Sequence, residues 1–424
     1  MAVRFLLPAL LLLCSVELSA ADKDPKDDPK FIRAVGTGIE KGVAWMLSKQ
    51  SPTGKFPAFE DPRGQVYELG MHALGTLAVL KGGHPLDSIE VTKALKMLRT
   101  LYERNQSVLK TYEAGLVLMA LEAKYTAVPP RKKPGQKVKP PKKKFKVSAA
   151  DRKWIEEISL WLQTKQRPAG LWRYPESGQD LSNTQYAALG LWSAHRLGVD
   201  VDPGVVRRMI EETMRRQQKQ GVSVPFILDP KLHERKTDER RSGASIEAKG
   251  WRYMPEVVVT EGGKQRKIVY PYSGSMTSAG IAILAIGRDI LGPKDRWLEG
   301  EHDRHLRRAM WEGLAWIQNN WDLEDNPGQK GNWPFYWLYG LERCCRLSGV
   351  DHVGYHDWYY MGCMRLLEDQ RGDGSWPKKQ RMRPPGGENV RWWSDQVDTA
   401  FAILFLCRAT PELKTPPPTI TGSG

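Results

Sequence analysis

The sequence predicts an all-α protein, built as a closed ring of six helix pairs with a small β-hairpin insertion. A segment with glutamine, a glycine four residues later and an aromatic residue two further on recurs along the chain. An amphipathic helical pattern precedes each copy, and an almost wholly apolar pattern follows most of them. This alternation suits two concentric rings, in which the inner helices are buried and the outer helices are half exposed to solvent.

The repeated segment is clearest in "LEDQRGDGSW", which places Gln370, Gly374 and Trp376. "KQRPAGLW" and "KQSPTGKF" have the same spacing, and looser or incomplete copies begin at three further glutamines, Gln106, Gln218 and Gln318. The distances between copies predict six units of roughly 50 residues. We expect the glycine to take the turn after the outer helix, the tryptophan to wedge between units, and the glutamine to hydrogen-bond the adjoining helix end.

The two helical patterns differ in composition. The outer pattern, as in "GIEKGVAWMLSKQ", repeats apolar residues every three or four positions, which marks one buried stripe. The inner pattern, as in "YELGMHALGTLAVL", is apolar nearly all round and rich in alanine and glycine. Four residues stand where helix N-caps are expected: Asn183, Thr184, Thr277 and Asp398.

Closure of the ring is predicted from the last unit. An open superhelix needs polar faces on its terminal units. The last inner pattern, "FAILFLCRA", is as apolar as those in the middle of the chain. A ring that closes on itself leaves no terminal face to protect.

The chain outside the repeats is assigned from composition. Residues 1–21 resemble a secretory signal, with Arg4, an apolar core from Phe5 to Val16 and small residues at 19–21. This predicts an exported protein, periplasmic or extracellular, without a transmembrane segment. Residues 22–34 and 411–424 are expected to be flexible, and 35–410 to form the ring. An insertion at 222–275 contains a predicted β-hairpin at 257–270, turning at Gly262-Gly263.

The net charge of +15 is concentrated in one segment. Residues 131–146 carry nine Lys or Arg and no acid, so about +6 (15 − 9) remains elsewhere. The segment is predicted to be a disordered loop within an insertion at 128–148. It is either a solvated insertion or a contact surface for an acidic polymer or membrane. No nucleic-acid binding is expected.

Four cysteines follow the predicted signal, at positions 344, 345, 363 and 407. They are interpreted as buried small apolar side chains, with a disulfide in the exported protein as the alternative. No Cys-x-x-Cys spacing of a zinc site is present. The sequence therefore predicts no metal and no cofactor.

Gln-x-x-x-Gly-x-Trp repeats on paired helices resemble the squalene-hopene cyclase and protein prenyltransferase repeat family, over about residues 35–410. The resemblance implies an α/α toroid with the amino ends of its inner helices at the mouth of a central funnel. The cyclase acid motif aligns with residues 395–399, where Asp395 and Asp398 match and Val397 replaces the proton donor. The zinc ligands of prenyltransferases are not matched, since the nearest acid, histidine and cysteine residues, Asp351, His356, Asp357 and Cys363, occupy an outer-helix start.

Candidate site residues follow from this arrangement. Asp395 and Asp398, with Glu68 and Glu113 across the mouth, are the predicted catalytic carboxylates. Carboxylates also suit a helix amino end electrostatically, which is the structural alternative. Substrate-binding candidates are Asn183 and the residues of two Trp-Arg-Tyr triplets and a tryptophan pair, namely Arg173, Tyr174, Arg252, Tyr253, Trp392 and Trp393. Packing between units is the alternative for these aromatics.

Three functions remain open on the sequence. The first is a toroid that binds a small-molecule, lipid or glycan ligand or a partner in its funnel, without established catalysis. The second is an exported lyase or hydrolase of a polymeric sugar. The third is a terpenoid cyclase or prenyl-group enzyme. A funnel filled by its own side chains would favour the first, an acidic pair around a deep polar cleft the second, and a closed, aromatic-lined apolar cavity the third.

Overall fold

A computed structural model describes residues 24–60, 64–126, 146–174, 178–225, 245–261, 264–376, 394–411 and 413. The α-helices of this part form six pairs. The outer helices are α1 (Pro29–Ser48), α3 (Ile89–Asn105), α5 (Ala149–Lys165), α7 (Pro203–Arg215), α9 (Glu301–Asn319) and α11 (Trp358–Asp369). The inner helices are α2 (Leu69–Lys81), α4 (Thr111–Tyr125), α6 (Leu181–Arg196), α8 (Gly274–Leu291), α10 (Pro334–Ser348) and α12 (Asp395–Leu406).

The inner helices form a closed ring. Each packs against the next in chain order, and α12 packs against α2. At that junction the side-chain amide of Gln396 donates to the carbonyl oxygen of Met71 at 3.0 Å. The predicted fold class, an α/α toroid of six helix pairs, is confirmed.

Glycines allow the inner helices to approach closely. At the contact of α4 with α6, a Cβ added to Gly190 would lie 2.8 Å from the Cα of Gly115. No real side chain tolerates that distance, so the backbones meet directly. The alanine and glycine content of the inner helices is therefore a packing requirement.

The repeated segments tie each unit to the next. The glutamine amide donates twice, to the glycine of its own segment and to the following outer helix. The three complete copies do this through Gln50 to Gly54 and Glu90, Gln166 to Gly170 and Val205, and Gln370 to Gly374 and Gly38. The glycines have positive φ, as the predicted turn requires.

The tryptophans of these segments hold the two helices of a unit together. Trp172, Trp251 and Trp376 are fully buried. Each indole N–H donates to a carbonyl oxygen of the outer helix, in Leu162, Thr213 and Leu366. Each backbone N–H donates to an inner-helix threonine, Thr184, Thr277 or Thr399. In unit one, His72 replaces the threonine and accepts from the backbone N–H of Phe56.

Two sequence predictions about local structure are wrong. The N-caps of α6, α8 and α12 are Asp180, Ser273 and Ser394, because these helices begin three to four residues earlier than expected. In unit four the bridging glutamine is Gln217, which donates to Lys249 and Ala309. Gln218 pairs instead with the backbone of Gly250.

Four short antiparallel strand pairs join the helices. They are β1 (Phe59–Glu60) with β2 (Val66–Tyr67), β3 (Val222–Pro225) with β4 (Ser245–Ala248), β5 (Val257–Glu261) with β6 (Lys264–Ile268), and β7 (His352–Val353) with β8 (His356–Asp357). The pairing of β5 with β6 confirms the predicted hairpin, whose Gly262-Gly263 turn lies outside the described residues.

Several predictions fall wholly or mostly outside the described residues: the signal at 1–21, the basic segment at 131–146, Trp392 and Trp393, and the tail at 411–424. Helix α1 begins at Pro29, six residues before the predicted start of the ring at 35. The four cysteines are free thiols, and three are buried. Among the described residues, no helix is both long and apolar enough to span a membrane.

Candidate functional site

Tyrosines from five units meet at the amino ends of the inner helices. We call Tyr67, Tyr112, Tyr174, Tyr253 and Tyr336 the tyrosine wall. Ring centroids lie 6.4 Å apart between Tyr67 and Tyr112 and 5.9 Å apart between Tyr112 and Tyr174. Tyr336 helps to raise the pKa of the Tyr174 phenol, and Tyr174 and Tyr336 help to raise that of Tyr253, so these three side chains lie near one another. All five are half-buried, so the wall is part of the mouth of the ring.

A second layer lies deeper along α10. The hydroxyl of Tyr336 is 3.1 Å from Ser182 Oγ and accepts from the side-chain amide of Gln185. The Oε1 atom of Gln185 accepts from Arg343 Nη2 at 2.9 Å. Arg343 is seven residues beyond Tyr336, or about 10 Å along the helix axis. A polar chain therefore leads from the wall to the interior of the ring.

Aromatic rings surround this floor. The guanidinium carbon of Arg343 lies 4.1 Å from the ring centroid of Tyr339 and 5.9 Å from that of Tyr186. Phe401 of α12 stacks on Tyr339 at 5.7 Å and contacts Tyr336 at 5.6 Å. We call Arg343, Tyr186, Tyr339 and Phe401 the funnel floor.

Asp180 is an acid of this region that the sequence analysis missed. It is fully buried, caps α6, and accepts from the backbone N–H of Asn183 at 2.7 Å and from its side-chain amide at 3.0 Å. Burial raises the pKa of Asp180 to about 7, despite hydrogen bonds from Asn183 and Tyr253 that lower it. Aligning the units with one another could have identified Asp180, because it stands four residues before Thr184, as Asp395 does before Thr399.

Asp395 and Asp398 lie at the start of α12. Asp398 is 3% exposed and stands one turn before Phe401, so the two share a helix face. Phe401 belongs to the funnel floor, and Asp398 is therefore placed above it. In a ring of six units, unit six lies opposite unit three, which contributes Asp180.

Glu68 and Glu113 are brought to one place, a pocket of about 280 Å³ between units one and two. Neither Asp395 nor Asp398 lines that pocket. Burial raises the pKa of Glu68, but ion pairs with Lys55 and Arg104 outweigh it and hold the pKa below its usual value. Burial raises the pKa of Glu113, whose Oε2 accepts from the backbone N–H of Lys110 at 3.1 Å at the start of α4. Both glutamates thus have structural partners.

Some of the predicted binding residues lie in the tyrosine wall, and the others make structural contacts. Tyr174 and Tyr253 belong to the wall, and burial raises the pKa of each phenol well above its usual value. Arg173 forms an isolated bridge with Gln179, and Arg252 covers the ring of Tyr272 at 4.1 Å. Asn183 is engaged by Asp180. Their neighbours Trp172 and Trp251 are the structural tryptophans described above.

The residues compared with prenyltransferase zinc ligands have other roles. The ring of His356 stacks on Trp321 at 4.5 Å, Asp357 caps α11 and pairs with Lys26 at 2.7 Å, and Cys363 is buried. In the described part of the chain, no group of three or more His, Cys, Asp or Glu is arranged to hold a metal ion.

No family model and no curated protein matches the chain. Among solved structures, a variant of the type II terpene cyclase MstE from Scytonema, in complex with merosterolic acid A, is 13% identical. The match covers 90% of this chain and 98% of that one, with a TM-score of 0.52. The alpha-1,6-mannanase GH76A from Salegentibacter sp. HEL1_6 is 10% identical over 88% of this chain and 99% of its own, with a TM-score of 0.50. At these identities the likeness concerns the fold alone.

Proposed function

We propose that the protein binds a small-molecule ligand in the funnel between the tyrosine wall and the funnel floor. The observation that supports this is the convergence of five half-buried tyrosines, one from each of five units, at the amino ends of the inner helices. Tyrosine offers a broad apolar face and a hydroxyl for hydrogen bonding, a combination typical of ligand sites. The secretory pattern at 1–21 supports export, so the ligand would be met outside the cytoplasm.

The fold is compatible with more than one ligand class. One similar structure is a terpene cyclase with merosterolic acid A, and another is an alpha-1,6-mannanase. Val397 stands where the cyclase family has its proton donor, so we do not propose alkene protonation here. A ligand with an apolar or ring-shaped body remains consistent with the wall.

The test is native mass spectrometry of protein purified from its own cells without denaturation. We expect a bound molecule in the wild type, identified by its mass after extraction. Its occupancy should fall at least tenfold in Tyr112→Ala and Tyr336→Ala, since each removes a ring from the wall. The matched control is Tyr355→Ala, because Tyr355 is 57% exposed and belongs to the β7–β8 turn rather than the wall. A wild type with no bound molecule would count against the proposal.

A second candidate, an enzyme that cleaves a polymeric sugar, is favoured by the acids on opposite units. Asp180, with its pKa near 7, can hold a proton at neutral pH and serve as a general acid. Asp398 and Asp395, across the ring, would supply the base. Because Asp180 is itself buried, proton transfer to a substrate would pass through the hydroxyl of Tyr253.

The measurement for this candidate is release of reducing ends from a panel of polysaccharides. Once one is cleaved by the wild type, Asp180→Asn and Asp398→Asn should lower the rate by roughly 100-fold or more while the fold is retained. Asp202→Asn is the control, since Asp202 caps the outer helix α7. Full activity in both funnel variants, or no cleavage by the wild type, would remove the catalytic candidate and leave ligand binding in place.

A further inference from the structure

Arg343 is buried on the funnel floor with most of its hydrogen-bond donors unused. The side chain is 1% exposed. Nη2 donates to Gln185 at 2.9 Å, and hydrogen bonds with Arg343 also act to lower the pKa of the Tyr186 and Tyr339 phenols, whereas Nε and Nη1 are buried without a hydrogen-bond partner among the described residues. Since Nη1 carries two N–H groups and Nε one, most of the five donors of the guanidinium point at no acceptor.

The adjacent carboxylate, that of Glu342, does not pair with the Arg343 guanidinium. Glu342 is buried beside Arg343, but its Oε1 accepts from the backbone N–H of Thr410 at 3.1 Å and its Oε2 from the Thr410 hydroxyl at 2.6 Å. Within the described residues, no acid forms a salt bridge with Arg343. The rings of Tyr339 and Tyr186 attract the cation, but burial raises the pKa of both phenols, so neither supplies a negative charge to balance it.

A guanidinium stays protonated even when buried, so the charge of Arg343 cannot be removed by titration. Buried charges are retained in proteins when they are paired or when they bind a charged ligand. Arg343 also ends the polar chain that starts at Ser182 and Tyr336 in the mouth. Arg343 is therefore the inner end of a chain of hydrogen bonds that begins at the tyrosine wall.

We propose that the ligand of the funnel carries a terminal carboxylate or phosphate, which accepts hydrogen bonds from Arg343 Nε and Nη1 while the body of the ligand lies against the tyrosine wall. This inference rests on the proposed binding function and specifies its ligand class. The separation of about 10 Å between Arg343 and Tyr336 along α10 sets the length that the ligand must span. The ligand is therefore an elongated molecule with an apolar or aromatic body and one anionic end.

The experiment compares three probes of matched shape: 4-phenylbutyrate, its neutral amide, and 4-phenylbutyl phosphate. Binding to the wild type is measured by calorimetry and by the shift in the unfolding temperature. We expect at least one anion to bind tenfold or more tightly than the amide. A preference for the carboxylate or for the phosphate identifies which anion the site takes.

Arg343→Met should abolish the preference for the anion, whereas Arg346→Met should keep it. Arg346 lies on the same helix one turn further on, half-buried, and donates to the carbonyl oxygen of Thr410. If Arg343→Met does not fold, the anion-to-amide ratio in the wild type decides on its own. Equal binding of amide and anions overturns the role of Arg343 but leaves the binding function intact.

If no probe binds, the molecule found in the purified protein decides. An anionic molecule supports the inference, and a neutral one contradicts it while the binding function stands. If no molecule is bound either, both proposals fail.

Discussion

The side-chain amide of Gln370, at the end of α11, donates to the carbonyl oxygen of Gly38 in α1 at 2.8 Å. This hydrogen bond joins the last outer helix of the chain to the first. It is equivalent to the bond from Gln166 to Val205, which joins units three and four inside the chain. The same chemistry therefore makes the contacts within the ring and the contact that closes it.

Replacing Gln370 should weaken closure measurably. Gln370→Ala removes the hydrogen bonds to Gly38 and Gly374, and we expect the free energy of unfolding to fall by about 1–3 kcal/mol. Urea denaturation followed by tryptophan fluorescence measures it. Gln265→Ala, at an exposed position of the hairpin, should change it by less than about 0.5 kcal/mol. Equal effects of the two substitutions would show that the closing bond contributes nothing.

Two neighbouring glycines should respond differently to alanine. Gly374 has φ +94°, and an added Cβ would lie 2.8 Å from the carbonyl carbon of Lys41 in α1. Gly372 has nothing within 4 Å of the same position. Gly374→Ala should cost about 2 kcal/mol or more, through backbone strain and displacement of α1. Gly372→Ala should be nearly neutral in thermal unfolding, and a comparable loss there would contradict the difference.

Asp180 should make stability fall as the pH rises. Its pKa is about 7 in the folded protein and near 3.9 when unfolded, so the folded state holds the extra proton between these values. The stabilisation is complete below about pH 4 and is lost as the pH rises through 7. By linkage this is up to about 4 kcal/mol.

Asp180→Asn retains a capping side chain without a titrating group. We expect its free energy of unfolding, relative to wild type, to improve from pH 4.5 to pH 7.5. Comparing the two proteins removes the pH dependence that other groups contribute equally to both. These groups include His72, whose pKa is lowered by burial to about 4, and Glu342, whose pKa is raised by burial to about 7. A difference between the two proteins that does not change with pH would contradict the assigned shift.

The threonine that receives a tryptophan N–H should be sensitive to an isosteric change. Thr277→Val keeps the shape of the side chain but leaves the buried backbone N–H of Trp251 without its acceptor. We expect the free energy of unfolding to fall by about 1–3 kcal/mol. Thr100→Val, on the exposed side of α3, is the control. Chemical denaturation of both variants should separate them by at least about 1 kcal/mol, and matching midpoints would refute the role given to Thr277.

The sequence predicted the ring because its signal is local and repeated. Amphipathic and apolar helices alternate, and one short segment recurs between them, so unit count and closure follow without knowledge of any contact. Local register was harder. Gln217 and Gln218 are adjacent, and only the packing of α9 decides which of them reaches Ala309.

The candidate site was only partly predictable, since it depends on which face of each inner helix points inward. An inner helix that is apolar nearly all round carries no periodicity to mark that face. Arg343, within "LERCCRL", looks like any arginine of a helix until Tyr339 and Gln185 are placed around it. Asp180 was in principle accessible, because it stands four residues before Thr184, as Asp395 stands four residues before Thr399.

The last unit packs on the first, through α12 on α2 and α11 on α1. The packing of the six units therefore does not depend on which unit comes first in the chain. A circular permutant that starts with unit two and carries unit one after unit six, joined by a linker long enough to span the original ends, would keep every contact between units. The architecture therefore permits new chain ends in any inter-unit loop. A fusion partner or a reporter could be attached on either side of the toroid without opening it.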